Sequence, residues 1–233
     1  GTLAFGTQVK ITDELVEHDA QLWRKVATPR GEGYTVATAY QSLPAVAPAF
    51  VPVLMYHHID YSGGRYSVSP EVFAAQLAWL RDNGYVSITP KDLYNARYHG
   101  MPLPARPVML TIDDGAPSTM TFKELMDQHG FRGVYFLPNA TSLTAGQIQE
   151  LAYSGEVCGH TVSHASLDRL DYHGQYAEVA NNKVWLEGIV GGPVTCFAYP
   201  YGAYNDFSRQ VVADSGYLTA FNAWGGVAVI SPD

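Results

Sequence analysis

The chain has 233 residues, 47% of them hydrophobic, which is enough for one large core or for one core plus a small satellite unit. Its formal net charge of −8 argues against a nucleic-acid partner, because a phosphate backbone needs a basic surface; a neutral or cationic ligand fits better. The longest mostly apolar stretch, "AVAPAFVPVLMY" at 45–56, is interrupted by prolines and far shorter than the roughly 20 residues a membrane helix needs, so no membrane span is expected.

Residues 1–43 alternate Val, Ile and Thr with polar residues and glycine turns and show no helical period, so a small antiparallel β unit is expected. Residues 44–52, "PAVAPAFVP", carry three prolines and read as an extended linker. From 53 to 233 the pattern becomes strand then helix, repeated. "VPVLMYHHI" is a buried strand. "SPEVFAAQLAWLRDNG" is a helix with Ser69 as N-cap, Pro70 at its first position, Phe73, Leu77 and Leu80 as its apolar stripe, and a stop at Gly84. The alternation continues with "YVSI" and "PKDLYNARYHG", "PVMLTI" and "PSTMTFKELMDQHG", then "RGVYFL" and "TAGQIQELAYSG", where Thr144 and Gln147 form a capping box. "EVCGH" with "QYAEVANNKVWLEGIVG" and "TCFAYP" with "DFSRQVVADSG" complete it. Near-continuous apolar strands alternating with helices imply an α/β fold built on a parallel sheet, and a barrel of βα units is favoured over an open sheet.

In such folds the strand C-termini carry the active site. "PVMLTIDDG" ends there, with Asp113 and Asp114 adjacent. Neighbouring strand residues point to opposite faces, so both can serve one site only where the backbone turns, and Gly115 is expected to supply that turn. The alternative is that one aspartate caps the next helix and the other is solvated. "GHTVSH" at 159–164 also follows an apolar strand. His160 and His164, at i and i+4, would share a face if the chain enters a helical turn, a spacing suited to one metal ion. Two histidines and a carboxylate leave coordination positions free for water and substrate.

These motifs, in order, resemble those of the polysaccharide deacetylases with a NodB-type homology domain, carbohydrate esterase family 4. "TIDDG" is similar to the family's TFDDG, "HTVSH" to its H-[ST]-x-x-H, and "FAYPYG" at 197–202 to its third motif; "VLMYHHI" resembles the opening strand of the poly-N-acetylglucosamine deacetylase branch. The resemblance implies a distorted (β/α) barrel of about seven strands. It also implies removal of acetyl groups from an N-acetylglucosamine-containing matrix or cell-wall glycan. A divalent metal, zinc in the first place with cobalt or nickel as alternatives, would be held by Asp114, His160 and His164. Asp113 would be the catalytic base, and the Tyr201 backbone N–H a donor to the oxyanion. Tyr199, Pro200 and His58 are the expected substrate contacts. Of the neighbouring histidines His57 and His58, one is expected to point toward the site. "LAFGTQVKI", "QLWRKVAT" and "GEGYTVATAY" resemble the later strands of a bacterial SH3-type domain, which implies an exported, extracellular or cell-surface protein with an N-terminal contact to cell-wall glycan.

Two departures from the family pattern stand out. No arginine lies between Cys196 and Tyr201 to orient the base. No L-x-H triplet follows Ser166 to supply the general acid, and His173 comes too early in the motif order; either a C-terminal piece is missing, the favoured expectation, or the acid comes from elsewhere. The chain opens at Gly1 without methionine or leader and reads as processed or trimmed. An O-acetyl xylan esterase and a catalytically silent glycan-binding protein are the competing readings. Cys158 and Cys196, the two cysteines, form neither a disulfide framework nor a CxxC zinc site. They are expected as free thiols, because adjacent parallel strands rarely give the Cα spacing and Cβ directions a bridge needs.

Overall fold

The computed structural model describes residues 10–18, 21–28, 31–36, 49–224 and 227–230. Three strands, β1 (Lys10–His18), β2 (Gln21–Thr28) and β3 (Gly31–Val36), pair antiparallel in that order as a sheet of their own. They agree with the antiparallel unit expected before residue 44. The strand–helix repeat follows: β4 (Ala49–Tyr56), the short pair β5 (His58–Ile59) and β6 (Ser67–Val68), α1 (Pro70–Asp82), β7 (Val86–Ser87) and α2 (Pro90–His99). Then come β8 (Pro107–Asp113), α3 (Thr119–His129), β9 (Val134–Leu137), α4 (Ala145–Ser154), β10 (Glu156–Gly159) and α5 (Tyr172–Val190). The series ends with β11 (Cys196–Ala198), α6 (Asp206–Asp214), β12 (Thr219–Phe221) and β13 (Val227–Ile230).

The helices begin where their caps dictate. Ser69 accepts from the Val72 N–H ahead of α1, whose buried residues are Phe73, Leu77 and Leu80, and Thr144 and Gln147 close a reciprocal capping box on α4. The main sheet runs β12-β11-β10-β9-β8-β4-β13, with β7 against the start of β8, and it curls into a half-barrel. Its ladders are parallel except that β13 runs antiparallel to β4, pairing Val227 with Pro52. Strand β4 therefore starts at Ala49, inside the proline-rich stretch 44–52: its first half pairs with β13 and its second half with β8.

Period-two alternation sorts the sheet residues into two cores. Val108, Leu110 and Ile112 of β8, Tyr135 and Leu137 of β9, Val157 of β10 and Phe197 of β11 face the helices, packing with Phe73, Phe122 and Val179. Met109, Val134, Phe136, Cys158, Cys196 and Ala198 form the inner cluster. Continuing the inner rows, Met109–Thr111 leads to Asp113 and Cys158 leads to His160, so the same alternation that builds the core delivers the polar residues to one rim.

Candidate active site

Asp113 ends β8 and pairs in register with Phe136 of β9. It is buried, and its Oδ1 has no hydrogen-bond partner. The turn after it is made by two left-handed residues, Asp114 at φ 70° and Gly115 at φ 64°. Glycine alone was expected there, but placing both carboxylates on one side of a strand end requires Asp114 itself to leave the extended conformation. Thr141 fastens the turn, its hydroxyl donating to the Gly115 carbonyl at 2.7 Å, and a Cβ at position 115 would meet Thr141 Oγ1 at 2.2 Å. Helix α3 has Ser118 as its N-cap, so neither aspartate caps it.

His160 and His164 meet on one face, but not through a helical turn. Thr161 at φ 67° and His164 at φ 60° fold the segment back as an irregular loop. Its backbone is tied outward: Thr161 and Val162 carbonyls accept from the N–H groups of Asn139 and Ala140, and Glu178 of α5 accepts from the Ser163 N–H and hydroxyl at 2.8 Å each. Fully buried Asn182, also on α5, holds the start of the loop. Its Oδ1 accepts from the His160 N–H at 2.9 Å, while its Nδ2 donates to the Leu137 carbonyl at 3.0 Å and to Asn139 Oδ1 at 2.9 Å. Gly159 leaves room for this approach, since a Cβ there would lie 2.7 Å from Asn182 Oδ1.

The third motif arrives from β11. The Ala198 carbonyl lies 2.8 Å from His160 Nδ1 and can only accept, so Nδ1 carries a proton and the neutral ring turns the Nε2 lone pair toward Asp114 Oδ1, 3.4 Å away. His164 Nε2 lies 3.1 Å from the same oxygen, and its Nδ1 is 3.1 Å from the Tyr201 hydroxyl. Tyr201, at φ 61°, is exposed; the Trp224 indole N–H pins the neighbouring turn by donating to the Gly202 carbonyl at 2.8 Å. Tyr199 and Pro200 are buried beneath it, with Tyr199 stacked on Tyr204. Among the described residues, the non-glycine positions with positive φ are Asp114, Thr161, His164 and Tyr201, all within this one site. Such strain is held only where surrounding structure over-determines it, and it gathers at functional sites.

The electrostatics separate the two aspartates. Burial raises the Asp113 carboxyl above its ordinary value, with His160 and His57 pulling the other way. Burial acts in the same sense on Asp114, but the neighbouring imidazoles of His160 and His164 outweigh it and hold that carboxyl well below the carboxylate range. Desolvation would lower His160, yet the adjacent Asp114 carboxylate and the charge of Asp113 raise it. Ligand atoms of Asp114, His160 and His164 all lie within 4.8 Å of one another, and Asp114 Oδ1 is a buried acceptor with no donor. Converging acceptors that share no proton fit a cation.

Glu156, Cys158 and Cys196 also cluster. Here the expectation of free thiols is corrected: Cys158 and Cys196 form a disulfide with a Cα separation of 4.8 Å. Strands β10 and β11 pair with Gly159 opposite Phe197, so the two cysteines stand side by side on the inner face. A bridged pair offers no thiolate to a metal. Of the paired histidines, His57 lies near enough to act on the charge of Asp113, and His58 lines a groove beside it.

No sequence motif points to Asn182, Glu178, Thr141 or Trp224, although Asn182 leaves one signal in the pattern. It falls on the same helical stripe as Val179 and Leu186, a polar residue in an apolar row.

Comparison with known proteins agrees with the motifs. The polysaccharide deacetylase family model matches residues 100–220. YxkH of Bacillus subtilis (strain 168), named for the same family, is 29% identical over 188 residues, covering 78% of this chain and 67% of that protein. The poly-β-1,6-N-acetyl-D-glucosamine N-deacetylase of Escherichia coli (strain K12) is 42% identical over 55 residues, 24% of this chain and 8% of its own length. The structure of Streptococcus pyogenes deacetylase PplD in complex with acetate superposes with a TM-score of 0.74 at 25% identity, covering 78% of this chain and 87% of that one. With the family model spanning more than half of its length and the motif residues gathered on one rim, the chain belongs to the polysaccharide deacetylase family.

Proposed function

We propose that this polysaccharide deacetylase removes N-acetyl groups from an N-acetylglucosamine-containing matrix or cell-wall glycan, using a divalent cation held by Asp114, His160 and His164. One observation carries the reading: three acceptor atoms converge beside a buried carboxyl, Asp113, that is not one of them. Similarity to the Escherichia coli N-deacetylase over 55 residues supports the choice of sugar. When bound, a divalent cation supplies Lewis acidity that brings the pKa of water from about 15.7 toward 7.

The rest of the chemistry falls to the chain. Ala198 fixes the His160 tautomer so that Nε2 stays a ligand atom, and Tyr201 steadies His164. Asp113, raised by burial and unpartnered at Oδ1, takes the proton from the attacking water. The Tyr201 backbone N–H faces the developing oxyanion, and loss of one such donor costs about 10²–10³ in rate. Zinc is the first candidate metal, with cobalt and nickel as alternatives. An extracellular or cell-surface location, and contact of residues 1–43 with cell-wall glycan as a bacterial SH3-type unit, belong to the same reading.

Acetate release from β-1,6-linked N-acetylglucosamine oligomers, chitin oligomers and acetylxylan tests it. Release from the N-acetylglucosamine oligomers, abolished by chelator and restored by zinc, cobalt or nickel, is expected. Chelator-resistant release would refute the metal, and preference for acetylxylan would refute the substrate.

A further inference from the structure

His160 follows directly on β10, and β11 ends at Ala198, whose carbonyl lies 2.8 Å from His160 Nδ1. The two partners of this bond are anchored in different parts of the sheet. On one side, Glu156 to Gly159 pair with Val134 to Leu137 of β9, and Asn139, Ala140, Glu178 and Asn182 hold the loop from His160 to His164. On the other, Cys196 to Ala198 pair with Thr219 to Phe221 of β12, and the Tyr199 N–H donates to the Phe221 carbonyl at 2.9 Å. Between β10 and β11 themselves, the register among the described residues is Gly159 opposite Phe197 alone. Thr195 donates to Glu156 Oε1 at 3.2 Å, but at the end of the seam away from the rim. Backbone pairing therefore does little to fix the distance across which His160 meets Ala198.

The disulfide closes this same seam. Cys158 stands two residues before His160 and Cys196 two residues before Ala198, so the bridge lies one inner-face step, about 7 Å, below the histidine–carbonyl bond. Both cysteines are fully buried, and Glu156 Oε1 lies 3.3 Å from Cys196 Sγ. Reductive exchange needs a thiolate to reach the bridge and another to depart from it, and a carboxylate beside the departing sulfur opposes that step. Burial and charge thus make the bridge a permanent brace rather than a switch.

We propose that the Cys158–Cys196 bridge is a positioning device for the metal site: it locks β10 to β11 so that the Ala198 carbonyl keeps His160 in its Nδ1–H tautomer, with Nε2 free as a ligand atom. The inference rests on the metal reading above and gives the bridge a role besides stability. A bridge that served stability alone could join any two neighbouring strands, whereas this one sits directly below the bond that orients a ligand.

The test compares the unmutated chain with two bridge-less versions, Cys158→Ala with Cys196→Ala and the more volume-keeping Cys158→Val with Cys196→Ala. Leu80→Ala, a buried position near the end of α1 and away from the rim, controls for lost stability alone. Melting curves confirm that each version is folded. In chelated protein, 15N–1H spectra of the His160 ring, recorded where the ring is neutral, should place the proton on Nδ1 in the unmutated chain and show a mixture of tautomers without the bridge. In zinc titrations the bridge-less versions should bind about 10–100-fold more weakly. Leu80→Ala should match the unmutated chain in both readouts despite its lower melting temperature. An unchanged His160 tautomer in a bridge-less version overturns the inference, as does an equal loss of zinc affinity in Leu80→Ala. Failure of both bridge-less versions to fold would make the bridge a folding requirement and overturn it as well. Because the tautomer is read without metal, an unmutated chain that binds no zinc would refute the metal reading while the spectra still decide the positioning role.

Discussion

Replacing Asn182 with alanine should unsettle the active-site rim from a position that touches no substrate. The side chain is fully buried and makes three hydrogen bonds, to the His160 N–H, the Leu137 carbonyl and Asn139 Oδ1. Asn139 is half-buried and can turn to water, but the His160 N–H and the Leu137 carbonyl cannot. Two stranded groups at about 1–3 kcal/mol each give a loss of about 2–6 kcal/mol, a large share of the about 5–15 kcal/mol that stabilises a typical domain. Because the freed N–H belongs to a proposed metal ligand, zinc affinity should fall about 10–100-fold, the range for groups that orient ligands. Asn182→Asp offers a control with nearly the same volume. It keeps an acceptor for His160 but turns an oxygen toward the two acceptors that Nδ2 now serves, so it should not rescue either property. Urea unfolding and zinc titration are the assays. A stability loss under about 1 kcal/mol together with unchanged zinc affinity would refute the reasoning, since it would mean that water or a loop shift satisfies these groups as well as Asn182 does.

Asp113→Asn should reduce acetate release by about 10²–10⁴, the usual worth of a general base, while metal content stays close to that of the parent; equal loss of metal would mean that the roles of the two aspartates are exchanged. Thiol titration of denatured, unreduced protein should find no free thiol, and replacing both Cys158 and Cys196 with alanine should cost about 2–4 kcal/mol; two reactive thiols would contradict the bridge. In chelated protein the pH profile of stability follows from two opposite shifts. Asp114 is held below its ordinary 3.8, so its contribution is complete above that value and lost as pH falls; His160 is raised above 6.5, so its contribution is complete below 6.5 and lost as pH rises through the raised value. The cluster should therefore stabilise the chelated fold most between about pH 4 and 6.5, and melts of Asp114→Asn should lack that feature. Zinc should raise the melting temperature more at pH 7.5 than at pH 5.5, because protons compete with metal for imidazole nitrogen; equal effects would count against imidazole ligands.

Local chemistry alone determined much of this protein. Ser69, Pro70 and the Phe73–Leu77–Leu80 stripe specify α1, and the Thr144–Gln147 box specifies the start of α4, because caps and periodicity act within a few residues. Apolar runs ending in "DDG", "HTVSH" and "YPYG" placed the site at strand ends, because a parallel sheet collects those ends on one rim. Tertiary structure decided the rest. The left-handed backbone at Asp114, Thr161 and His164 is imposed by Thr141, Asn139 and Glu178, which lie far from it in sequence, so no local pattern announces it. The Cys158–Cys196 bridge depends on β10 and β11 lying in register, although the cysteines are 38 positions apart in sequence. The His160 tautomer is set by the Ala198 carbonyl, a backbone group whose place no side-chain identity records. Spacing along the chain can nominate ligands, but their protonation and direction come from groups that only the folded sheet brings within 3 Å.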